Sequence, residues 1–121
     1  MEERRQFVRL DTRLEIQYSV LPSEPPKTAV TKDISGNGVC LFADKELAPG
    51  TRLQVAMKLP GREIPVNFTA EVMWSEAYEM IGKSQRQRSV EVGVRFVEVS
   101  PQDQEAVMQH VILTHQQPHT K

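Results

Sequence analysis

The sequence predicts a mainly β fold, a small antiparallel barrel of six strands with one helix after it. Apolar and polar residues alternate in several short runs, as they do in strands with one buried face. Proline and glycine separate these runs, and a helix-start pattern follows the last one. Short strands followed by a single helix are typical of a small barrel with the helix packed against it.

The chain divides into four expected segments. The first is too short and too mixed in charge for an ordinary strand or a convincing helix, so we interpret it as an arginine-rich arm. The barrel, a C-terminal helix and a tail follow it. The segments are residues 1–13 for the arm, 14–99 for the barrel, 100–116 for the helix and 117–121 for the tail.

The barrel strands are predicted where apolar residues recur at every second position. Pro22, Pro25 and Pro26 form a loop that cannot join a ladder. Residues 77–88 are predicted to be a polar loop, and Gly93 indicates a close approach or a bend. The six predicted runs are 14–20, 27–34, 39–43, 53–59, 64–74 and 90–96.

The helix is predicted from its start. Ser100 fits the N-cap, Pro101 the first helical position, and Asp103 lies near the positive end of the helix dipole. Apolar residues then recur at helical spacing, with His110 among them.

Charge and composition exclude several classes of protein. Fifteen Lys and Arg against sixteen Asp and Glu give a net charge of −1, so any anion site must come from local clustering. No apolar run approaches the length of a membrane span, and the N-terminus lacks the apolar segment of a secretory signal. The single cysteine, Cys40, suits a reducing compartment and is predicted to be a core residue. We therefore expect a cytoplasmic protein that does not insert into membranes.

Nothing in the sequence argues for catalysis. It contains no serine elbow, phosphate-loop motif or metal-binding helix motif. His110, His115 and His119 match no zinc pattern. We expect no enzyme, no metal and no cofactor.

The arm carries the first binding candidates. Arg5 and Arg9 lie four residues apart, and Arg4 adds a third cation. Arginine suits an anion site because its planar fork binds phosphate oxygens in pairs and also matches the O6/N7 edge of guanine. A solvated basic arm is the alternative.

The turn from Asp33 to Gly38 carries the second group of binding candidates. Its glycines are expected to allow backbone shapes that a side chain would forbid. An ionised Asp33 only accepts hydrogen bonds and could take the N1–H and N2–H₂ groups of guanine, while Ser35 could meet phosphate oxygens or brace the turn. A hairpin turn without a ligand is the alternative.

Trp74, at the end of a strand, fits core or rim packing as well as base stacking.

Together these two stretches resemble a known family signature. Arg5-x-x-x-Arg9 followed by Asp33-x-Ser35-x-x-Gly38 is similar to the RxxxR and D/NxSxxG motifs of the PilZ domain family. The resemblance extends along nearly the whole chain, through Val72–Trp74 and Val92–Phe96.

The resemblance implies a six-stranded antiparallel barrel with a C-terminal helix and a bacterial receptor for cyclic di-GMP. In that family the two signature arginines, here Arg5 and Arg9, grip phosphates and guanines. Asp33, Ser35 and Gly38 would form the turn that receives a guanine. By the same resemblance, Arg4 influences whether one ligand or a stacked pair binds, and Trp74 borders the ligand.

The implied function is switching without chemistry. The ligand would draw the arm onto the barrel and alter the surface offered to an unidentified protein effector. One alternative is a PilZ-like adaptor that binds proteins and no nucleotide. A barrel that binds single-stranded nucleic acid is another, but the net charge of −1 and the few aromatic residues count against it, so no DNA or RNA partner is expected.

Overall fold

The computed structural model describes residues 9–81 and 86–116. In these residues seven strands precede one helix. The elements are β1 (Arg9–Asp11), β2 (Glu15–Val20), β3 (Lys27–Ser35), β4 (Gly38–Ala43), β5 (Arg52–Met57), β6 (Val66–Ile81), β7 (Arg86–Val99) and α1 (Pro101–Gln116).

Six of the strands close into an antiparallel barrel. The order β3-β2-β5-β6-β7-β4 returns to β3 because β3 and β4 also pair. β1 is an extra strand that pairs with β3 beyond the end of β2, so β1 and β2 lie end to end along one edge of β3. The predicted six-stranded barrel with a C-terminal helix is confirmed.

The alternating residues fill the barrel interior. In β2, Ile16 and Tyr18 are buried while Glu15 and Gln17 are exposed, which is the pattern that the sequence predicts for a strand with one wet face. Phe68 packs edge-to-face against Phe96, with ring centroids 4.6 Å apart. This apolar interior supplies the hydrophobic stabilisation of the barrel.

The β6–β7 hairpin is longer than predicted. Residues predicted as a polar loop continue the ladder, with Tyr78 opposite Ser89 and Ile81 opposite Arg86. The pairing of β4 with β7 ends at Val90, so β6 and β7 continue beyond the barrel as a two-stranded ribbon. The predicted polar loop is therefore wrong for residues 77–81 and 86–88, while residues 82–85 lie outside the described part of the chain. The predicted strand start at residue 64 is also wrong, because Ile64 is exposed and β6 begins at Val66.

The interpretation of the arm as free of strands is wrong for Arg9–Asp11. These residues pair with β3, and Leu10 packs against the core. Three residues are too few to display a period, and their strand conformation comes from β3 as a template. Residues 1–8 lie outside the described part of the chain.

A buried threonine fixes the junction between β1 and β2. The hydroxyl of Thr31 donates to the carbonyl of Thr12 at 2.6 Å and accepts the N–H of Leu14 at 2.9 Å. The backbone adds bonds from the Thr12 N–H to the Lys32 carbonyl and from the Thr31 N–H to the Leu14 carbonyl. Thr31 is fully buried, so these bonds are shielded from water. The direction of β1 is thereby set by β3.

The helix begins as predicted. The Ser100 hydroxyl accepts the N–H of Asp103 at 3.1 Å, which confirms the N-cap. The Asp103 carboxylate also accepts the N–H of Asn67 at 3.1 Å and so ties the helix to β6. Val107 and Val111 bury the inner face, and α1 lies against β6, β1 and β3. Across residues 9–81 and 86–116, no helix combines the length and hydrophobicity needed to cross a membrane.

The Thr31 hydroxyl gives a testable stability prediction. Thr31→Val keeps the shape but leaves the Leu14 N–H without its acceptor, so we expect a loss of about 1–3 kcal/mol in the free energy of unfolding. Thr28→Val, on an exposed position of the same strand, is the matched control and should stay within about 0.5 kcal/mol of wild type. Equal urea midpoints for the two variants would contradict the role given to Thr31.

Alkaline pH should weaken the fold through Tyr18. Burial, with the nearby Asp44 carboxylate, raises the pKa of Tyr18 to about 12. The unfolded chain then releases the phenol proton at a lower pH than the folded one, so stability falls as pH rises from about 10 towards 12. Tyr18→Phe should remove this part of the decline, on the order of 2 kcal/mol. Urea unfolding of both proteins at several pH values measures it, and parallel pH curves would refute it.

Candidate functional site

A cavity of about 220 Å³ lies on the outer face of the barrel, where β3, β4, β7 and β6 run side by side. Polar groups line one part of it and large apolar side chains another. The polar residues are Asp33, Ser35, Asn37 and Arg95, and the large apolar residues are Met73 and Trp74.

The strand register explains why these residues meet. Residues directly opposite each other in an antiparallel pair share a face of the sheet. Trp74 lies opposite Gly93, Gly93 opposite Cys40, and Cys40 opposite Asp33. These four positions form one row across the outer face of the barrel.

A second row runs parallel to the first. Glu71 lies opposite Arg95, and Arg95 opposite Gly38. Arg95 follows Gly93 by two residues, so both rows face outward. The cavity lies over these two rows, and the sheet beneath fixes the spacing of the side chains.

Glycine makes room for the tryptophan. A Cβ atom at Gly93 would overlap the indole ring of Trp74, so the ring lies directly over the glycine backbone. The ring is 40% exposed and forms one wall of the cavity. A β-bulge at Met73 shifts the register of β6 here, which turns Trp74 to the outer face. The close approach predicted for Gly93 is confirmed.

The predicted turn is tighter than expected. β3 ends at Ser35 and β4 begins at Gly38, so only Gly36 and Asn37 connect them. The buried Ser35 hydroxyl donates to the Asn37 side-chain oxygen at 2.7 Å and thus braces the turn. Gly38 is required for lack of space, because a Cβ there would collide with the Val94 carbonyl, and not for a left-handed φ.

The N-terminal strand brings the arm to this turn. β1 places Arg9 opposite Ser35 and Asp11 opposite Asp33. The backbone of one predicted arginine therefore lies beside the predicted turn. Arg4 and Arg5 lie outside the described residues.

An ion-pair network lies on the same sheet as the cavity lining, among β3, β6 and β7. Lys32 lies within 3.1 Å of the Glu91 carboxylate, to which the Tyr78 hydroxyl also donates at 2.6 Å. The hydrogen bond from Tyr78, with help from Lys32, holds the pKa of Glu91 below its usual range. Lys32, which precedes Asp33 in the chain, is therefore paired with the Glu91 carboxylate.

Comparison with known proteins identifies the family and the fold. The sequence model of the PilZ domain matches residues 3–113. The chain belongs to the PilZ domain family. No curated protein matches it.

Solved structures share the PilZ fold at low sequence identity. The Escherichia coli YcgR PilZ domain with c-di-GMP is 20% identical, with a TM-score of 0.72 over 93% of this chain and 91% of that one. The Bacillus subtilis inhibitor of motility, MotI/DgrA, is 24% identical, with a TM-score of 0.72 over 94% of this chain and 52% of that one. The K. pneumonia MrkH–c-di-GMP complex is 14% identical, with a TM-score of 0.69 over 94% and 54%. This chain thus spans about half the length of MotI and MrkH.

The sequence left some residues of the candidate site unrecognised. Cys40 is buried, as predicted for a core residue, and it also contributes to the cavity lining. Arg95 and Met73 were not identified as site residues. Arg95 lies two residues after Gly93 in the sequence, so both face the same side of a strand. Identifying Arg95 as a site residue also requires the register of β7 against its neighbours, which the sequence does not give.

The contact between Gly93 and Trp74 can be tested optically, because the chain has one tryptophan. Gly93→Ala should displace the indole, shift its fluorescence emission to longer wavelength and cost about 1–3 kcal/mol in stability. Gly61→Ala is the control: it has open space but a φ of 81°, so it should lower stability without moving the emission. Unchanged emission in Gly93→Ala would contradict the packing described.

Proposed function

We propose that this PilZ domain is a receptor for cyclic di-GMP that acts without catalysis and needs no cofactor. The observation that supports this most is the register of β1 on β3, which sets Arg9 opposite Ser35. The backbones of two motifs that are 24 residues apart at their nearest conserved positions, Arg9 and Asp33, therefore run side by side. An anionic nucleotide would fit a site in which the arginines of the arm complement the hydrogen-bond acceptors of the turn.

The cavity suits one guanine base. Ligand pockets commonly measure about 300–1,000 Å³, so a cavity of about 220 Å³ holds part of a dinucleotide. Asp33 would accept hydrogen bonds from the N1–H and N2–H₂ edge, and Trp74 would offer an aromatic face. Ser35 and Gly38 would shape the turn against which the ligand rests.

The arginines of the arm would bind the rest of the ligand. Arg5 and Arg9 would hold phosphates and the second guanine, and Arg4 would favour a stacked pair of ligands. A dianionic ligand between the arm and the barrel would offset the repulsion among these three arginines. We propose that binding in this way draws onto the barrel the part of the arm that precedes β1.

The signal would then pass to a protein effector in the cytoplasm. Binding changes the surface around β1, and α1 lies against both β1 and β3. No DNA or RNA is proposed as a partner.

Calorimetric titration tests the proposal. Wild type should bind cyclic di-GMP and not GTP or linear di-GMP, and the stoichiometry distinguishes one ligand from a stacked pair. Arg9→Ala should weaken binding by roughly 10-fold to 100-fold, since a hydrogen-bonded charged contact contributes about 1.5–3 kcal/mol. Arg62→Ala, an exposed arginine in the β5–β6 loop, is the matched control and should bind like wild type.

Two results would overturn it. Absence of binding by wild type would favour the adaptor that binds only proteins. Equal hydrogen exchange of residues 1–8 with and without saturating ligand would refute the ordering of the arm.

A further inference from the structure

We propose that Arg95 is a further ligand contact that selects guanine over adenine, and that Glu71 positions it. The inference rests on the proposed function and adds a specificity residue to it. Neither signature motif includes Arg95 or Glu71.

The position of Arg95 supports a direct contact. Its side chain is half exposed and lines the same cavity as Asp33 and Trp74. Its partner on the adjacent strand β4 is Gly38, which has no side chain to separate the guanidinium from the cavity. The cavity therefore has a hydrogen-bond donor on the β7 side and an acceptor, Asp33, on the β3 side.

Glu71 fixes the direction of that donor. Its carboxylate lies 2.6 Å from Nη2 of Arg95, and the two residues are directly opposite on β6 and β7. A guanidinium has five N–H groups, so donors remain after this bond. Because Glu71 offsets the positive charge, what Arg95 adds to the cavity is mainly directional hydrogen bonding and not attraction for phosphate.

Directional donors opposite an acceptor match guanine. Its O6 and N7 atoms accept hydrogen bonds on one edge, while N1–H and N2–H₂ donate on another. β7 and β3 are separated by β4, so they are about 10 Å apart. A planar base with an Arg95 side chain on one side and the Asp33 carboxylate on the other spans this distance. Adenine presents an amino group in place of O6 and would meet the guanidinium with a donor.

The experiment compares selectivity by titrating each protein with cyclic di-GMP and cyclic di-AMP. Arg95→Ala should lose roughly 5-fold to 100-fold of the preference for cyclic di-GMP, the range expected for a bidentate arginine–guanine contact. Arg95→Lys keeps the charge without the fork and should not restore the preference. Glu71→Gln should lower the preference while leaving the melting temperature within a few degrees of wild type.

Arg52→Ala is the matched control. Arg52 lies opposite Glu71 in the same row, on the side away from the cavity, and is exposed. It should keep wild-type selectivity, and thermal melting of every variant checks that it is folded.

The outcomes separate the two proposals. Absence of wild-type binding to cyclic di-GMP overturns both. Wild-type binding with unchanged selectivity in Arg95→Ala and Arg95→Lys overturns the role of Arg95 alone. An equal loss of affinity for both dinucleotides also overturns it, because it assigns Arg95 to the phosphates.

Discussion

The pairing of β1 with the end of β3 is the constraint on which the candidate site depends. It places the last residue of one motif beside the serine of the other, with Arg9 opposite Ser35. The buried Thr31 hydroxyl holds the chain on both sides of the break that separates β1 from β2. Without that junction, the arm would leave the barrel in no fixed direction and the two motifs would have no set spacing.

A closed barrel has a convex outer surface, so a cavity there needs missing side chains. Glycine supplies two gaps, at Gly93 beneath the Trp74 ring and at Gly38 beside the Val94 carbonyl. Between them, Cys40 is small enough to form part of the cavity lining. The polar rim is then held by neighbouring strands, whose hydrogen-bonded ladders give the site a rigid base.

Local sequence pattern predicted the elements whose stability comes from their own burial. Strands such as β2 alternate visibly, and Ser100 marks the helix start through its own side chain. The local pattern failed where pairing with a neighbouring strand determines the conformation. β1 is too short to show a period, and the outer part of the β6–β7 ribbon has no core beneath it. Arg95 needed the register, which no local pattern encodes.

The barrel closes through β2 to β7, and β1 adds nothing to that closure. The candidate site therefore combines barrel strands, which the fold requires, with one strand that the closure does not require. Apart from Leu10, which packs against the core, substitutions in β1 should affect the barrel little, whereas those in β3 or β4 affect both the barrel and the candidate site. Related chains can thus vary in this N-terminal strand while selection for a closed barrel acts on the other six.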